Sequence, residues 1–424
     1  MSLAIAPLTL TDGFTWAIAA LATAGVIVRP WKLPEWIWAV AGAVLLVVFG
    51  LLPIGDALLG VEKGIDVYLF LIGMMLLAAI ARKEGLFDWL AAQAARRAKG
   101  SATRLFALIY VVGIAVTTFL SNDATAVVLT PAVAAVAKAA KAKQKLPYLL
   151  ICAFIANAAS FVLPISNPAN LVIYGSHMPA LMTWLPRFAL PSVLSIGATY
   201  IVLRLTQRRA LNQAIAAEVD VPRLSTGGKT AAGGITATAI LLMGASAFDF
   251  QLGAPTCAAG VATAAVVLLR ERAAPWGVLR DISWGVLLLV AGLFVLVEAL
   301  AATGVLAALA HALHDLAQRS AEATAWGAGI ALAIVTNLMN NLPAGLIAGR
   351  AVHDAGVGHA INGAVLIGVD LGPNLSVTGS LATILWLTAL RREGVEVSAW
   401  QFLKLGILVM PPALVLALGA LLLT

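Results

Sequence analysis

Apolar residues run along this chain in long blocks, and polar residues are confined to short gaps between them. Blocks long enough to cross a bilayer as helices lie near 14–29, 36–52, 66–82, 147–173, 186–204, 229–248, 255–270, 282–302, 360–390 and 401–423. Two more apolar stretches, 104–141 and 322–350, are each broken near the middle by an asparagine-containing motif. They predict re-entrant hairpins, each with both ends on one side of the membrane. The polar breaks come in pairs, one pair in each half. The first half has Ser121-Asn122-Asp123-Ala124-Thr125 and then Pro164-Ile165-Ser166-Asn167-Pro168-Ala169-Asn170. The second has Met339-Asn340-Asn341-Leu342-Pro343 and then Asp370-Leu371-Gly372-Pro373-Asn374, running on to Thr378-Gly379-Ser380. Backbone that leaves the helix at membrane depth must be buried in protein or line a wet cavity. Two such breaks at corresponding places in two halves point to the substrate site of a transporter.

The halves match elsewhere too. Gly73-Met74-Met75 followed by Gly85-Leu86 resembles Gly292-Leu293-Phe294 followed by Gly304-Val305 at an equal offset. Asn122-Asp123 matches Asn340-Asn341 one residue out of phase, and Ser166-Asn167-Pro168 faces Thr378-Gly379-Ser380 a few residues further off. The predicted fold is an all-α polytopic membrane protein with about ten transmembrane helices and two re-entrant hairpins in two repeats. Residues 1–204 form the first repeat, 205–228 a cytoplasmic linker and 229–424 the second repeat. Five spans per half is an odd number, so the second repeat is inverted relative to the first.

Composition strengthens the membrane reading. The chain is 61% hydrophobic and only 11% charged, against about 25% charged in soluble domains. Its net charge of +7 would suit a nucleic-acid partner, but the placement of the charge excludes one. Of 27 Lys and Arg, 23 fall in six loops, at 29–35, 82–104, 138–147, 204–229, 270–281 and 391–404. The positive-inside rule puts those loops in the cytoplasm and both termini outside. The first hairpin then enters from the cytoplasm and the second from outside. The segment Phe14 to Val28 reads as a span rather than a cleaved leader. Trp31, Trp36, Trp38, Trp184 and Trp400 fall near span ends and read as interfacial anchors. The five histidines fall on the outer side and read as loop residues.

Motifs for other functions are missing. Cys152 and Cys257 have neither metal-site spacing nor a disulfide framework around them. The sequence contains no HExxH, no GxSxG and no phosphate-binding GxxxxGK[ST]. The expectation is therefore a non-enzyme without cofactor or resident metal, and any ATP drive would come from another chain. The chemistry that does stand at membrane depth is amides, hydroxyls and two acids. Intramembrane acids mark function by default. Asp123 sits at the first hairpin tip, and Asp370 just before Gly372-Pro373. Desolvation favours the neutral form of a carboxyl group, so such a group can gain and lose protons in a transport cycle. A lone asparagine or aspartate could equally cap a broken helix.

The stretches FLSNDATAVVLTPAV (119–133), TNLMNNLPAGLIAG (336–349) and GVDLGPNLSVTGSLATILWL (368–387) resemble the arsenite efflux permeases of the ArsB type, within the ion transporter superfamily. The dicarboxylate symporters of that superfamily would show Ser-Asn-Thr at both tips, and this chain shows it at neither. The resemblance implies export of arsenite and antimonite across a bacterial inner membrane in exchange for protons. It implies a scaffold and a mobile, elevator-type transport domain, and it allows a cytoplasmic arsenite-stimulated ATPase and a homodimer as partners. Arsenous acid is a small, mainly neutral triol, and side-chain amides offer it donors and acceptors together. The expected substrate site is Asn122, Asp123, Ser166, Asn167, Asn170, Asn340, Asn341, Asn374, Thr378, Gly379 and Ser380, with Asp123 as main proton carrier and Asp370 as helper. The alternative is a sodium/proton antiporter or an anion/sodium symporter of the same superfamily.

Overall fold

The computed structural model describes residues 9–248 and 250–424; the first eight residues of the N-terminus placed outside above are not among them. The chain is helical throughout. Among the described residues there is no strand, only an isolated bridge between Ser101 and Ala214. The first half contains α1 (Leu10–Val28), α2 (Glu35–Val48), α3 (Ile54–Lys63), α4 (Ile65–Lys83), α5 (Leu86–Ala98), α6 (Ala102–Leu120), α7 (Asn122–Ala124), α8 (Thr130–Ala139), α9 (Leu146–Ala158), α10 (Pro168–Tyr174), α11 (Leu181–Thr206) and the single turn α12 (Arg208–Leu211). The second contains α13 (Thr226–Ala247), α14 (Gly253–Glu271), α15 (Trp276–Asp281), α16 (Trp284–Ala302), α17 (Val305–Arg319), α18 (Ala321–Met339), α19 (Asn341–Ala355), α20 (His359–Leu371), α21 (Leu381–Arg392) and α22 (Ala399–Leu421). Nine of the described helices are long and apolar enough to cross a membrane, and α2 and α9 are shorter apolar helices.

The order of elements repeats. α1 to α6 correspond to α13 to α18, α7 with α8 to α19, α9 to α20, α10 to α21 and α11 to α22. Local sequence fixes the same joints in both halves. Gly85 and Gly304 take positive φ, at 70° and 79°, and turn the chain into α5 and α17. The side chains of Ser101 and Ser320 cap α6 and α18 through the amides of Arg104 and Ala323. Sequence reading left 82–104 as a loop and placed no element between the span ending at 302 and the hairpin starting at 322. The structure forms α5 and α17 there, because each has an apolar stripe to bury: α5 turns Leu86, Phe87, Ala91, Ala94 and Ala95 inward and leaves Arg96 and Arg97 outside. Trp184 also departs from expectation. It is fully buried, with its indole N–H donating to the Phe161 carbonyl at 3.1 Å, and is no interfacial anchor.

The helices form two bundles, one of α1–α4 with α13–α16 and one of α5–α12 with α17–α22. Corresponding helices cross between repeats: α4 packs on α14, the counterpart of α2, and α16 packs on α2. Lipid tails are as apolar as leucine, so these contacts depend on close approach rather than on escape from water. Glycine supplies it. A Cβ on Gly260 would stand 2.5 Å from the Gly73 carbonyl oxygen, and one on Gly292 2.7 Å from the Ala39 carbonyl carbon. The segment between the repeats is pinned to the base of the first hairpin. The amide of Ile215 donates to Gly100 at 3.1 Å, and that of Ala216 to Ala140 at 2.8 Å.

Gly260→Val should force α14 off α4 and cost about 1–3 kcal/mol, read as a lower thermal unfolding midpoint of the purified protein. An unchanged midpoint would show the crossing to be looser than described.

Candidate functional site

Both hairpin arms break at a residue in a conformation that L-amino acids rarely adopt. Ser121 has φ 123° and ψ 162°, and Asn340 has φ 74° and ψ 154°. Such backbone costs roughly 1–3 kcal/mol and clusters at functional sites. The structural register pairs Ser121 with Asn340 and Asn122 with Asn341, both 219 positions apart, as are Gly85 and Gly304. The one-residue slip in the sequence comparison therefore disappears, and Asp123 falls opposite Leu342. Past the first tip the return arm widens into a π-helical turn over Thr125–Leu129. Pro131, which would press on the carbonyl four residues back in a regular helix, follows directly.

The other two breaks are unwound loops. α9 stops at Ala158 and α10 starts at Pro168, capped by the Asn167 side chain on the Ala169 amide at 3.0 Å. α20 stops at Leu371 and α21 starts at Leu381, capped by Ser380 on the Thr383 amide at 3.1 Å. The N-termini of α7, α10, α19 and α21 meet around a small cavity of about 10 Å³, lined by Asn122, Asp123, Asn167, Pro168, Asn341, Leu342, Leu381 and Ala382, with Leu71 and Val286 opposite. It adjoins a larger cavity of about 90 Å³ that shares Leu71, Asp123, Pro168, Val286 and Leu381. The larger cavity runs past Met74, Met75 and Ala78 to Arg82 and Asp281, which form an ion pair at 2.6 Å. By the charge reading, that end is cytoplasmic. A separate vestibule of about 500 Å³, near the Lys63–Glu298 pair, has no lining residue in common with either cavity. The first amides of each helix have no carbonyl partner inside their own helix, and each helix N-terminus brings a partial positive charge to the cavity, beside the Asp123 carboxyl. Asn122 Oδ1 and Asn341 Oδ1 are buried without a hydrogen-bond partner. Donors and acceptors thus face the cavity together.

Four of the expected site residues, Asn122, Asp123, Asn167 and Asn341, come together at the small cavity. The others hold the breaks in shape. Asn340 caps the amide of Leu342 and donates to the Thr378 carbonyl. The Gly379 carbonyl accepts from the Asn341 amide at 2.8 Å. Asn170 donates to the carbonyls of Ser160, Leu163 and Pro164. Ser166 donates to Thr118, and Thr378 to the Asn337 carbonyl. Asn374 donates to Phe154 and accepts from Asn157. Asp370 is wholly buried, its Oδ1 accepting from Asn167 at 2.7 Å. Sequence reading missed Asn157 and Asn337, whose signal was an amide inside an otherwise apolar helix, and the apolar wall of Leu71, Met74 and Val286, which carries no signal at all.

Comparison with known proteins gives the chain a family. Residues 18–369 match the family described as CitMHS, Citrate transporter. The chain is 28% identical over 399 residues to the Arsenical pump membrane protein of Escherichia coli (strain K12), covering 90% of this chain and 92% of that one. A protein of the same name from Yersinia enterocolitica is 28% identical over 395 residues, covering 89% and 91%. Among solved structures, the YdaH transporter of Alcanivorax borkumensis aligns with a TM-score of 0.57 at 17% identity, over 98% of this chain and 97% of that one, a likeness of fold.

Asn170→Ala leaves the carbonyls of a buried loop without their donor and should cost about 1–3 kcal/mol. Asn122→Ala removes an amide whose oxygen has no partner and should cost much less. Thermal unfolding of the two variants side by side checks this; equal losses would place Asn122 among the structural amides.

Proposed function

The chain belongs to the CitMHS citrate transporter family, as a multi-pass protein of the bacterial inner membrane, and on that premise we propose that it exports arsenite and antimonite from the cytoplasm in exchange for protons. The observation that carries this reading is the balance of donors and acceptors at the cavity. Arsenous acid presents hydroxyl groups that both give and accept hydrogen bonds. The Asn122 and Asn341 oxygens accept from them, and the Asn167 region and the helix N-termini donate to them. The names of the relatives support the same substrate.

Export proceeds by alternating access. Every polar group at the cavity belongs to the α5–α12 and α17–α22 bundle, while Leu71 and Val286 of the other bundle give an apolar wall. That division suits an elevator in which one bundle carries the solute along the other. Asp123, half-buried and lining both cavities, is the proton carrier, and Asp370 acts behind it through Asn167. A metal cation is a poorer fit, because four helix N-termini point at the cavity. A carboxylate is the second reading, favoured by those same N-termini and by the family's description. A fixed acid at the cavity opposes it, and Arg82 is engaged by Asp281.

The test is arsenite uptake into everted vesicles with an imposed inside-acid gradient and no ATP. Accumulation should follow the gradient, collapse with a protonophore and ignore Na⁺, and Asp123→Asn should lose the gradient-driven component. Full coupling in Asp123→Asn together with its loss in Asp370→Asn would move the proton to Asp370. Citrate uptake in place of arsenite, or flux that requires Na⁺, would overturn the reading.

A further inference from the structure

The two unwound breaks are held by a pair of hydrogen bonds that obey the internal repeat. Asp370 is the next-to-last residue of α20 and receives an N–H from Asn167, the cap of α10, at 2.7 Å. Asn157 is the next-to-last residue of α9, and its Oδ1 receives the hydroxyl of Ser380, the cap of α21, at 3.5 Å. Asn157 and Asp370 are 213 positions apart, and so are Asn167 and Ser380. Each bond joins one repeat to the other, and all four side chains are buried. The pairs differ in one respect. Asn157 also has an NH₂, which donates to Asn374 Oδ1 at 2.9 Å and to the Ala153 carbonyl at 3.4 Å. Asp370 has an oxygen at that place, and its Oδ2 has no partner.

The geometry points to Asn157 as a positioning residue for the substrate cavity, the fixed counterpart of a switch at Asp370. Ionised, Asp370 can only accept. Protonated, it carries one O–H and can both donate and accept, as the Asn157 amide does with its two N–H groups and its oxygen. The two caps are therefore alike only when Asp370 holds a proton. Its gain or loss alters the grip on the Asn167 amide at the mouth of α10, while Asn157 keeps α21 in place throughout. Asn167 and the first residues of both α10 and α21 line the small cavity, so the proton acts on one side of the substrate and leaves the other as a fixed reference. Other titratable groups on the elements packed against α20 are Glu322 of α18, Arg350, His353 and Asp354 of α19, Lys404 of α22, and Tyr148, Cys152 and Tyr174 of α9 and α10. None is bonded to the Asp370 carboxyl.

This inference rests on the arsenite reading for its first test and is independent of it for the second. In vesicles, Asn157→Ala should raise the arsenite KM about tenfold, the loss of roughly one buried hydrogen bond, with kcat little changed. Asp370→Asn should weaken the pH dependence of KM. The exchange variant, Asn157→Asp with Asp370→Asn, should restore it, because the acid then stands beside Ser380. An exchange variant as flat as Asp370→Asn alone, or an unaltered KM in Asn157→Ala, overturns the proposal. The second test follows thermal unfolding of the purified full-length protein against pH without substrate. Wild type and the exchange variant should share a pH-dependent component that Asp370→Asn lacks, and its absence from wild type overturns the proposal. If the wild type transports no arsenite but shows this component, the functional reading falls and the switch stands.

Discussion

A peptide group in hydrocarbon without a hydrogen-bond partner costs several kcal/mol, and the centre of this protein is organised around that cost. The chain leaves the helix four times at membrane depth. At each break, side chains take up what the backbone has released. Asn170 gathers three carbonyls of the first loop, and the Trp184 indole takes a fourth, that of Phe161. Asn337 donates to the Gly372 carbonyl in the second loop, and the Ser376 hydroxyl donates to the Asn337 amide oxygen. Asn167, Ser380, Ser121 and Asn340 cap the helices that restart. Of the buried side-chain oxygens left unengaged around the breaks, those of Asn122 and Asn341 lie at the one place where four helix N-termini meet. The cavity's chemistry is what remains after the fold's own needs are met.

This explains which residues were legible in the sequence. The spans and hairpins follow from block length and from the rarity of polar residues inside the blocks, both strong local signals. The hairpin tips were legible because Asn122-Asp123 and Asn340-Asn341 are polar pairs in the middle of otherwise apolar stretches. Sequence could not separate amides that face the cavity from amides that tie loops together, since Asn167 and Asn170 belong to one short motif and differ only in where the chain points them. Asn157 was passed over because its surroundings are apolar and its partners lie 217 and 223 residues away. The register between halves was blurred for a related reason. Ser121 and Asn340 hold the same backbone position with different side chains, so matching by residue type aligned the wrong pair. Amphipathic α5 was hidden by its charges, which read as loop when only the length of apolar blocks is counted.

The two bundles divide the work by composition. One contributes small residues and an apolar face, with Gly73 and Gly260 letting α4 and α14 touch backbone to backbone. The other contributes every amide and the one acid at the small cavity. An apolar wall and a polar cavity lining need different residues, and the repeat supplies both, because each half sends helices to both bundles.

The bonds from Ile215 and Ala216 to the feet of the first hairpin have a further consequence. They make the chain between the repeats a leash. Its fixed end belongs to one bundle and α13, at the other end, to the other. Between them lie only the nine residues 217–225, which fully extended reach at most ~32 Å. That length would cap any sliding of one bundle past the other while the leash stays tied, and it is set by a segment that lines neither cavity of the site.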